Sequence, residues 1–163
     1  MNIHPDAQLA RHPHRFNALF QGIALRTSPG FDRAYEEACA FGRLLAGRGQ
    51  GGGFMKNLME QRVCSSVVAG IGTATRLLAG QTIHEETEDV DRELDVQDAA
   101  ERAALERLIQ ALGGVGDDPK LSAIRHSLHD EGWLELGCII FSQYYDTAAW
   151  IARVRRWVSP ARH

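Results

Sequence analysis

The chain has 163 residues, of which 44% are hydrophobic and 24% are charged, and its formal net charge is -3. This length suits one compact domain, or two small helical subdomains, with room for a real core. No run of about 18 apolar residues is present, and the polar N-terminus lacks the apolar middle of a signal peptide. The composition therefore excludes a membrane-spanning or secreted protein and predicts a cytoplasmic one.

The cysteines and histidines do not form the patterns that are typical of disulfide frameworks or metal sites. Cys39, Cys64 and Cys138 are odd in number and far apart, so we expect small buried hydrophobic residues rather than disulfides. His126 and His129 are three residues apart on a predicted helix, but no further ligand lies near them in the sequence. We therefore expect no metal and no cofactor.

Apolar residues at helical spacing predict three helices in the first half of the chain, over 16–27, 31–46 and 54–78. Ser28 followed by Pro29 is typical of an N-cap and a first helical position. Five of the seven residues at 47–53 are glycine, which predicts a flexible joint. The joint lacks the GK[ST] ending of a phosphate-binding loop. Gly70 and Gly72 predict close packing or a kink within the third helix.

The second half of the chain begins with an acidic segment, 80–95, which predicts a solvated linker. Three helices follow, at about 96–112, 118–132 and 146–157, with Asp118 as the N-cap of the second. Residues 138–142 form a short apolar run that predicts one buried strand. The predicted fold is mainly α, with about six helices in a bundle and at most one short strand. Its parts are a helical region at 1–79, the linker at 80–95 and a helical region at 96–163.

A lone strand leaves its backbone N–H and C=O groups unpaired, so the predicted strand needs a partner edge or a cover. The sequence shows no second strand. We therefore expect a homodimer that buries this region. The residues expected at its interface are Ile139, Ile140, Phe141 and Trp150.

Charge is unevenly distributed along the chain. Ten of the 21 acidic residues lie between residues 85 and 106, whereas no acid follows residue 146. The C-terminal tail instead carries Arg153, Arg155, Arg156 and Arg162. These arginines suit either phosphates or an acidic strip, such as residues 85–98 of the chain itself. We expect the tail and the acidic segment to meet, within one chain or across a dimer.

Two blocks of the sequence together resemble the bacterial Swi/Snf-related superfamily-two helicases. The first block is MKNLMEQRVCSSVVAG at 55–70 with TATRLL at 73–78, and the second runs from PKL at 119–121 to GCIIFSQYYDTA at 137–148. In that family the first block is a helix between the two RecA-like lobes, and the second opens the C-terminal lobe with the strand of motif IV. The resemblance covers residues 30–157 and implies that Ser142, Gln143 and Tyr144 lie near a nucleic-acid backbone.

The residues around motif IV also have structural interpretations. Ser142 and Asp146 are suited to capping the last helix. Tyr144, Tyr145, Trp150 and Trp157 are suited to stacking on bases, but aromatic residues in such a pattern more often form a packed hydrophobic surface.

The motor elements of that helicase family are missing. Phosphoryl transfer needs phosphate-cradling amides, a metal-holding carboxylate and an arginine at one site. The chain has no GK[ST] loop, and DEGW at 130–133 does not match the family's DExH box. The chain ends shortly after Trp157, which leaves no place for motifs V and VI. We therefore expect no catalytic residue and no enzyme activity.

These observations favour a non-catalytic, helicase-derived binding protein. It would act as a small inhibitor or accessory factor of a nucleic-acid machine, of the anti-CRISPR or anti-defence type. Its partner would be a protein in a nucleic-acid-processing complex, with weak or no direct DNA binding and no membrane association. Two alternatives remain open: an inter-lobe, DNA-tracking segment of a full Swi/Snf-like ATPase, and a purely structural helical oligomer.

Overall fold

The computed structural model describes residues 26–48, 52–87 and 90–157, and the described part is mainly helical, as predicted. It contains seven α-helices: α1 Pro29–Ala46, α2 Gly52–Ser65, α3 Val67–Leu78, α4 Ala99–Gly113, α5 Pro119–Arg125, α6 Trp133–Leu136 and α7 Tyr145–Trp157. A π-helical turn, His126–Asp130, follows α5. The helix predicted over 16–27 lies, up to residue 25, outside the described residues. No described helix is both long and apolar enough to cross a bilayer.

The core is built by the first four helices. α1 packs against α2 and α4, and α3 packs against the same two helices, so the four enclose one apolar interior. Its largest fully buried apolar side chains are Phe41, Leu45, Met59, Leu77, Leu105, Leu108 and Leu112. Each such side chain contributes about 1.5–3 kcal/mol when it is taken out of water. This bundle therefore supplies most of the apolar burial.

The first helix begins where the sequence predicts. Pro29 occupies its first turn, and the Ser28 hydroxyl accepts a hydrogen bond from the Phe31 N–H at 3.2 Å. This bond satisfies one of the amides that a helix start leaves without a partner.

The prediction of one helix over 54–78 is wrong, because the chain breaks at Ser66. This residue has φ -168° and ψ 157°, and its hydroxyl accepts a hydrogen bond from the Ala69 N–H at 3.0 Å. The Asp118 carboxylate accepts a second bond from the Val67 N–H at 2.8 Å. The break is hidden in the sequence because the apolar periodicity continues across it. α2 also begins at Gly52, inside the predicted joint, of which residues 49–51 lie outside the described residues.

Gly70 brings α3 close to its neighbours, as predicted. A Cβ atom at this position would lie 2.9 Å from Leu112 Cδ1 and 3.0 Å from Val63 Cγ2. Glycine is therefore required by the spacing of α3 against α2 and α4 rather than by a special backbone angle.

The acidic segment predicted as a linker contains an antiparallel hairpin. Its strands are β1 Ile83–Thr87 and β2 Val90–Leu94, and Ile83 faces Leu94 across the pair. Ile83 is buried and belongs to the core cluster. Backbone pairing needs few bulky apolar side chains, so the acidic composition concealed these strands.

The strand predicted at 138–142 is not formed. These residues have no regular secondary structure, and the two described strands pair with each other elsewhere. Gly137, with φ 75°, redirects the chain just before this segment. An apolar run alone cannot make a strand without a neighbouring edge to complete its hydrogen bonds.

A buried charge contact joins the end of α1 to the start of α4. Arg48 Nε donates to Glu101 Oε1 at 2.7 Å, and Arg48 Nη2 donates to Glu101 Oε2. The Gln97 N–H donates to the same carboxylate at 2.7 Å, and Glu101 is only 1% exposed. Burial alone would lower the pKa of Arg48, but the hydrogen bonds and charges of Glu101 and Asp95 raise it above its usual value. The guanidinium therefore remains charged.

Substitution of Gly70 by alanine should destabilise the bundle. The added methyl group overlaps Leu112 and Val63, which must shift at a cost of about 1–3 kcal/mol. Gly113→Ala is the matched control, since nothing lies within 4 Å of a Cβ there. It should leave stability unchanged or raise it by about 0.4–1 kcal/mol. Urea unfolding of both variants measures the difference, and equal midpoints would contradict the packing argument.

Glu101→Gln should lower the free energy of unfolding by about 2 kcal/mol, because the neutral amide offers one oxygen to three donors. Asp95→Asn removes a charge from the exposed end of the same contact and should cost at most about 1 kcal/mol. Thermal and chemical denaturation provide the comparison. An equal loss in both variants would show that Glu101 has no special part in joining α1 to α4.

Candidate functional site

Three buried polar side chains attach the C-terminal segment to the core, and we call Ser66, Asp118 and Thr147 the polar junction. The Thr147 hydroxyl lies 2.8 Å from the Ser66 hydroxyl and 2.9 Å from that of Ser65. Asp118 Oδ1 accepts from the backbone N–H groups of residues 120 and 121 at 2.9 and 3.2 Å. Its Oδ2 caps α3, as described above. These bonds set the starts of α3 and α5 and hold α7 against the start of α3.

A second contact holds α7 on the surface of α3. Arg76 Nη2 donates to Asp146 Oδ2 at 2.7 Å. A Cβ atom at Gly72 would lie 3.3 Å from that same carboxylate oxygen, so glycine leaves room for the pair. Glycine at position 72 therefore allows α7 to lie close to α3.

Two of the three residues that the resemblance places near a nucleic-acid backbone have side chains engaged within the chain. Tyr144 is 5% exposed, and Arg62 Cζ lies 4.0 Å from the centroid of its ring. The Ser142 hydroxyl accepts from the Tyr144 N–H at 3.3 Å and donates to the Tyr144 carbonyl at 3.1 Å. Gln143 is exposed. Ser142 and Asp146 were both predicted to cap the last helix. In the structure Asp146 forms the ion pair with Arg76, and the Ser142 hydroxyl bonds the backbone of Tyr144.

Several large apolar side chains that are close in sequence are exposed between the end of α6 and the first residue of α7. Ile139 is 81% exposed and Phe141 is 89% exposed. We call this surface the apolar face; it consists of Leu136, Ile139, Ile140, Phe141 and Tyr145. No backbone–backbone hydrogen bond joins residues 138–141 to the part of the chain that the structure describes. Exposed apolar groups in one stretch are typical of a binding surface.

Two open clefts have Ile140 and Phe141 of the apolar face in their walls. The mixed cleft, of about 370 Å³, runs between α2, α5 and α7 and includes Trp150 in its wall. Among the described residues that line it, only Lys120 is charged, and the polar Gln61 and Gln143 share the same wall. The apolar cleft, of about 380 Å³, is lined by no charged residue of the described part of the chain; besides Ile140 and Phe141 themselves, its wall contains Ala123, Ile124, Leu128, Trp133 and Ile139.

The prediction for the three cysteines is correct only in part. All three are free, as expected, but Cys64 and Cys138 are exposed, so the prediction of buried hydrophobic cysteines is wrong for these two. Burial raises the pKa of the Cys39 thiol, and the charge of Glu60 raises it further. Partial desolvation raises the pKa of the Cys64 thiol, while Lys120 opposes that rise. The described residues contain no group of three or more potential ligands placed to hold a metal ion.

The arginine tail is described only in part. Arg153 is exposed on α7. The side chains of Arg155 and Arg156, and the whole of Arg162, lie outside the described part of the chain. The side chains of residues 84–94 also lie outside it, so the contact between the tail and the acidic segment stays a prediction.

The structure brings the predicted interface residues close together. Ile139, Ile140 and Phe141 come together on the apolar face, and Trp150 lies in the mixed cleft beside them.

The pairing of Asp118 with Val67 was missed because 51 residues separate them and no local motif links them. The only local signal was the Asp118-Pro119 pair at the start of α5. It identifies Asp118 as the cap of α5 but not as a cap of α3.

Asp118→Ala should weaken the attachment of the C-terminal segment, because three backbone N–H groups lose their acceptor. We expect a loss of about 2–3 kcal/mol, since loss of a cap and of buried hydrogen bonds combine. The matched control is Asp117→Ala, which removes the adjacent exposed carboxylate and should change stability by less than about 0.5 kcal/mol. Denaturant unfolding with amide hydrogen exchange gives the measurement. Unchanged protection of α5 in Asp118→Ala would contradict this role.

The surface combines exposed apolar groups with amide and ammonium donors at its rim, an arrangement suited to binding a polypeptide. Comparison with known proteins finds no relative: no family model matches the chain, and neither does any curated protein or solved structure. The case for a function therefore rests on the residues and geometry of the chain itself.

Proposed function

We propose that this protein is a binding module that contacts another protein through its apolar face. The observation that carries the proposal is the exposure of Ile139 and Phe141, at 81% and 89%, within one short segment. Covering a side chain of this size stabilises a complex by about 1.5–3 kcal/mol. The apolar face thus provides a favourable free energy of association that is gained only when a partner covers it.

The surroundings of the apolar face match the usual anatomy of a protein interface. Its centre is aromatic and aliphatic, whereas the neighbouring mixed cleft is bordered by Gln61, Lys120 and Gln143. An apolar centre with a polar rim is the arrangement that concentrates binding energy in a few central residues. Phe141, as the most exposed aromatic side chain among the described residues, is the expected anchor.

The proposed partner is a subunit of a nucleic-acid-processing complex, on which the protein acts as an inhibitor or accessory factor without catalysis of its own. This partner class is supported by the resemblance of residues 55–78 and 119–148 to helicase segments. Direct phosphate binding has less support, because Tyr144 is covered by Arg62 and the Ser142 hydroxyl is bonded to the backbone. We therefore propose that contact with nucleic acid is made through the partner.

Phe141→Asp should abolish partner binding while leaving the fold intact, since the side chain is solvent-exposed. We expect the affinity to fall about 30-fold or more, the effect of removing a central aromatic anchor. Leu44→Asp is the matched control: it places the same charge at a leucine that is 38% exposed on α1, away from the apolar face. Proteins captured by the tagged full chain are identified by mass spectrometry, and the purified partner is then titrated against all three chains.

Equal capture by both variants would contradict the apolar face as the contact surface. A Phe141-dependent partner with no part in nucleic-acid processing would contradict the partner class. Mobility-shift assays at two salt concentrations complete the test. Salt-sensitive retardation of DNA by the isolated protein at low salt would favour direct DNA binding instead.

A further inference from the structure

The mixed cleft, between α2, α5 and α7, has the size and lining of a site for a small molecule. Its volume of about 370 Å³ lies within the usual range of ligand pockets, about 300–1,000 Å³. Such pockets combine mostly apolar walls with a few polar groups that fix the orientation of the ligand. An apolar ring suits this cleft, because the apolar part of its wall consists of Ile124, Ile140, Phe141, Trp150 and Ile151.

The charge in this wall is one-sided. Among the described residues that line the cleft only Lys120 is charged, and its exposed ammonium group forms no ion pair with any described residue. One ammonium group neutralises a monoanion, whereas a phosphate dianion would leave an excess charge against apolar side chains, at a cost in desolvation. We propose that the mixed cleft binds a small aromatic carboxylate, with its ring against Trp150 and its carboxylate on Lys120.

Gln61 provides a neutral donor for the same carboxylate. Its Oε1 accepts a hydrogen bond from the Tyr144 hydroxyl at 3.4 Å. Tyr144 is buried, with Arg62 over its ring, so this contact holds the Gln61 amide in one orientation. The Gln61 Nε2 group bonds no described residue, which leaves its N–H donors for a ligand. An ammonium group and an amide together match the two oxygens of a carboxylate.

The Cys64 thiol lies in the same wall, and the charges that act on it favour an anion there. Desolvation has the largest effect on its pKa and raises it. Of the charged groups that act on this thiol, Lys120 has the larger effect and lowers the pKa, whereas Glu60 raises it and is not a lining residue of the cleft. A thiolate and a carboxylate are both anions, so the charge that stabilises one in this wall stabilises the other.

Titration calorimetry of the full chain with 2-naphthoate tests the site. A ligand of this size should bind with a dissociation constant of about 0.1–1 mM. The matched probe is 2-naphthamide, which has the same ring and no charge. It should bind about tenfold more weakly, because it lacks the charge-assisted hydrogen bond to Lys120.

Two variants separate the charge of the cleft from the charge of the surface in general. Lys120→Met removes the ammonium group and should weaken binding of 2-naphthoate about fivefold to tenfold, with 2-naphthamide unaffected. Arg125→Met is the matched control, because it removes an exposed cation on the same helix that does not line the cleft. It should leave the affinity for both probes unchanged. Circular dichroism spectra verify that both variants are folded.

Alkylation of the thiols gives a second readout that needs no variant. Iodoacetamide labelling of the wild type, followed by peptide mass spectrometry, measures the rate at each cysteine. Saturating 2-naphthoate should slow labelling of Cys64 several-fold. The internal control is Cys138, an exposed thiol that lines the apolar cleft and not the mixed cleft, and its rate should not change.

Four results would overturn the inference: no binding of 2-naphthoate up to about 10 mM, equal affinity for the acid and the amide, an affinity that ignores Lys120, or labelling of Cys64 that 2-naphthoate does not slow. The inference goes beyond the proposed function and fails or stands separately from it. Capture of a protein partner depends on Phe141 and does not require an anion at Lys120.

Discussion

The arrangement of this protein depends on the polar junction of Ser66, Asp118 and Thr147. The Asp118 carboxylate accepts backbone N–H groups from the starts of two helices that are distant in sequence, and Thr147 fixes a third helix beside them. Buried hydrogen bonds of this kind tolerate little displacement. The free-energy cost of leaving a buried polar group without a partner is larger than the net stabilisation from the hydrogen bond itself. The apolar face and both clefts are built from segments that this junction positions. The apolar face is therefore oriented by polar contacts, while stability comes from the apolar bundle.

Local patterns in the sequence predicted much of the fold. Ser28-Pro29 and Asp118-Pro119 mark helix starts correctly, because a cap requires residues that are neighbours in the chain. The break at Ser66 could not be predicted in the same way, since its second cap comes from Asp118. The hairpin was missed because its pairing resides in the backbone rather than in apolar side chains. The strand expected at 138–142 failed for the converse reason: apolar side chains were present, but no strand of the described residues pairs with them.

The candidate site was predictable as a set of residues but not as a surface. A continuous apolar run marked Ile139, Ile140 and Phe141, and composition alone cannot say whether such a run is buried or exposed. Exposure is decided by what packs over the run, which depends on contacts between distant segments. The clefts depend on the same contacts, because α2, α5 and α7 meet only in the folded chain. The helicase resemblance concerned this stretch too, and its implied contacts at Ser142 and Tyr144 now compete with bonds inside the protein.

The separation of the core from the apolar face has a consequence for how the sequence can change over time. Residues 136–141 contribute little to the buried interior, which lies between residues 34 and 115. Substitutions in this exposed stretch therefore change the surface of the protein without placing the bundle at risk of unfolding. The exposed segment is therefore free to vary between related sequences, while packing and hydrogen bonds hold Gly70, Glu101 and Asp118 fixed. Rapid change at residues 136–141 and constancy at those three positions are the pattern that this architecture permits.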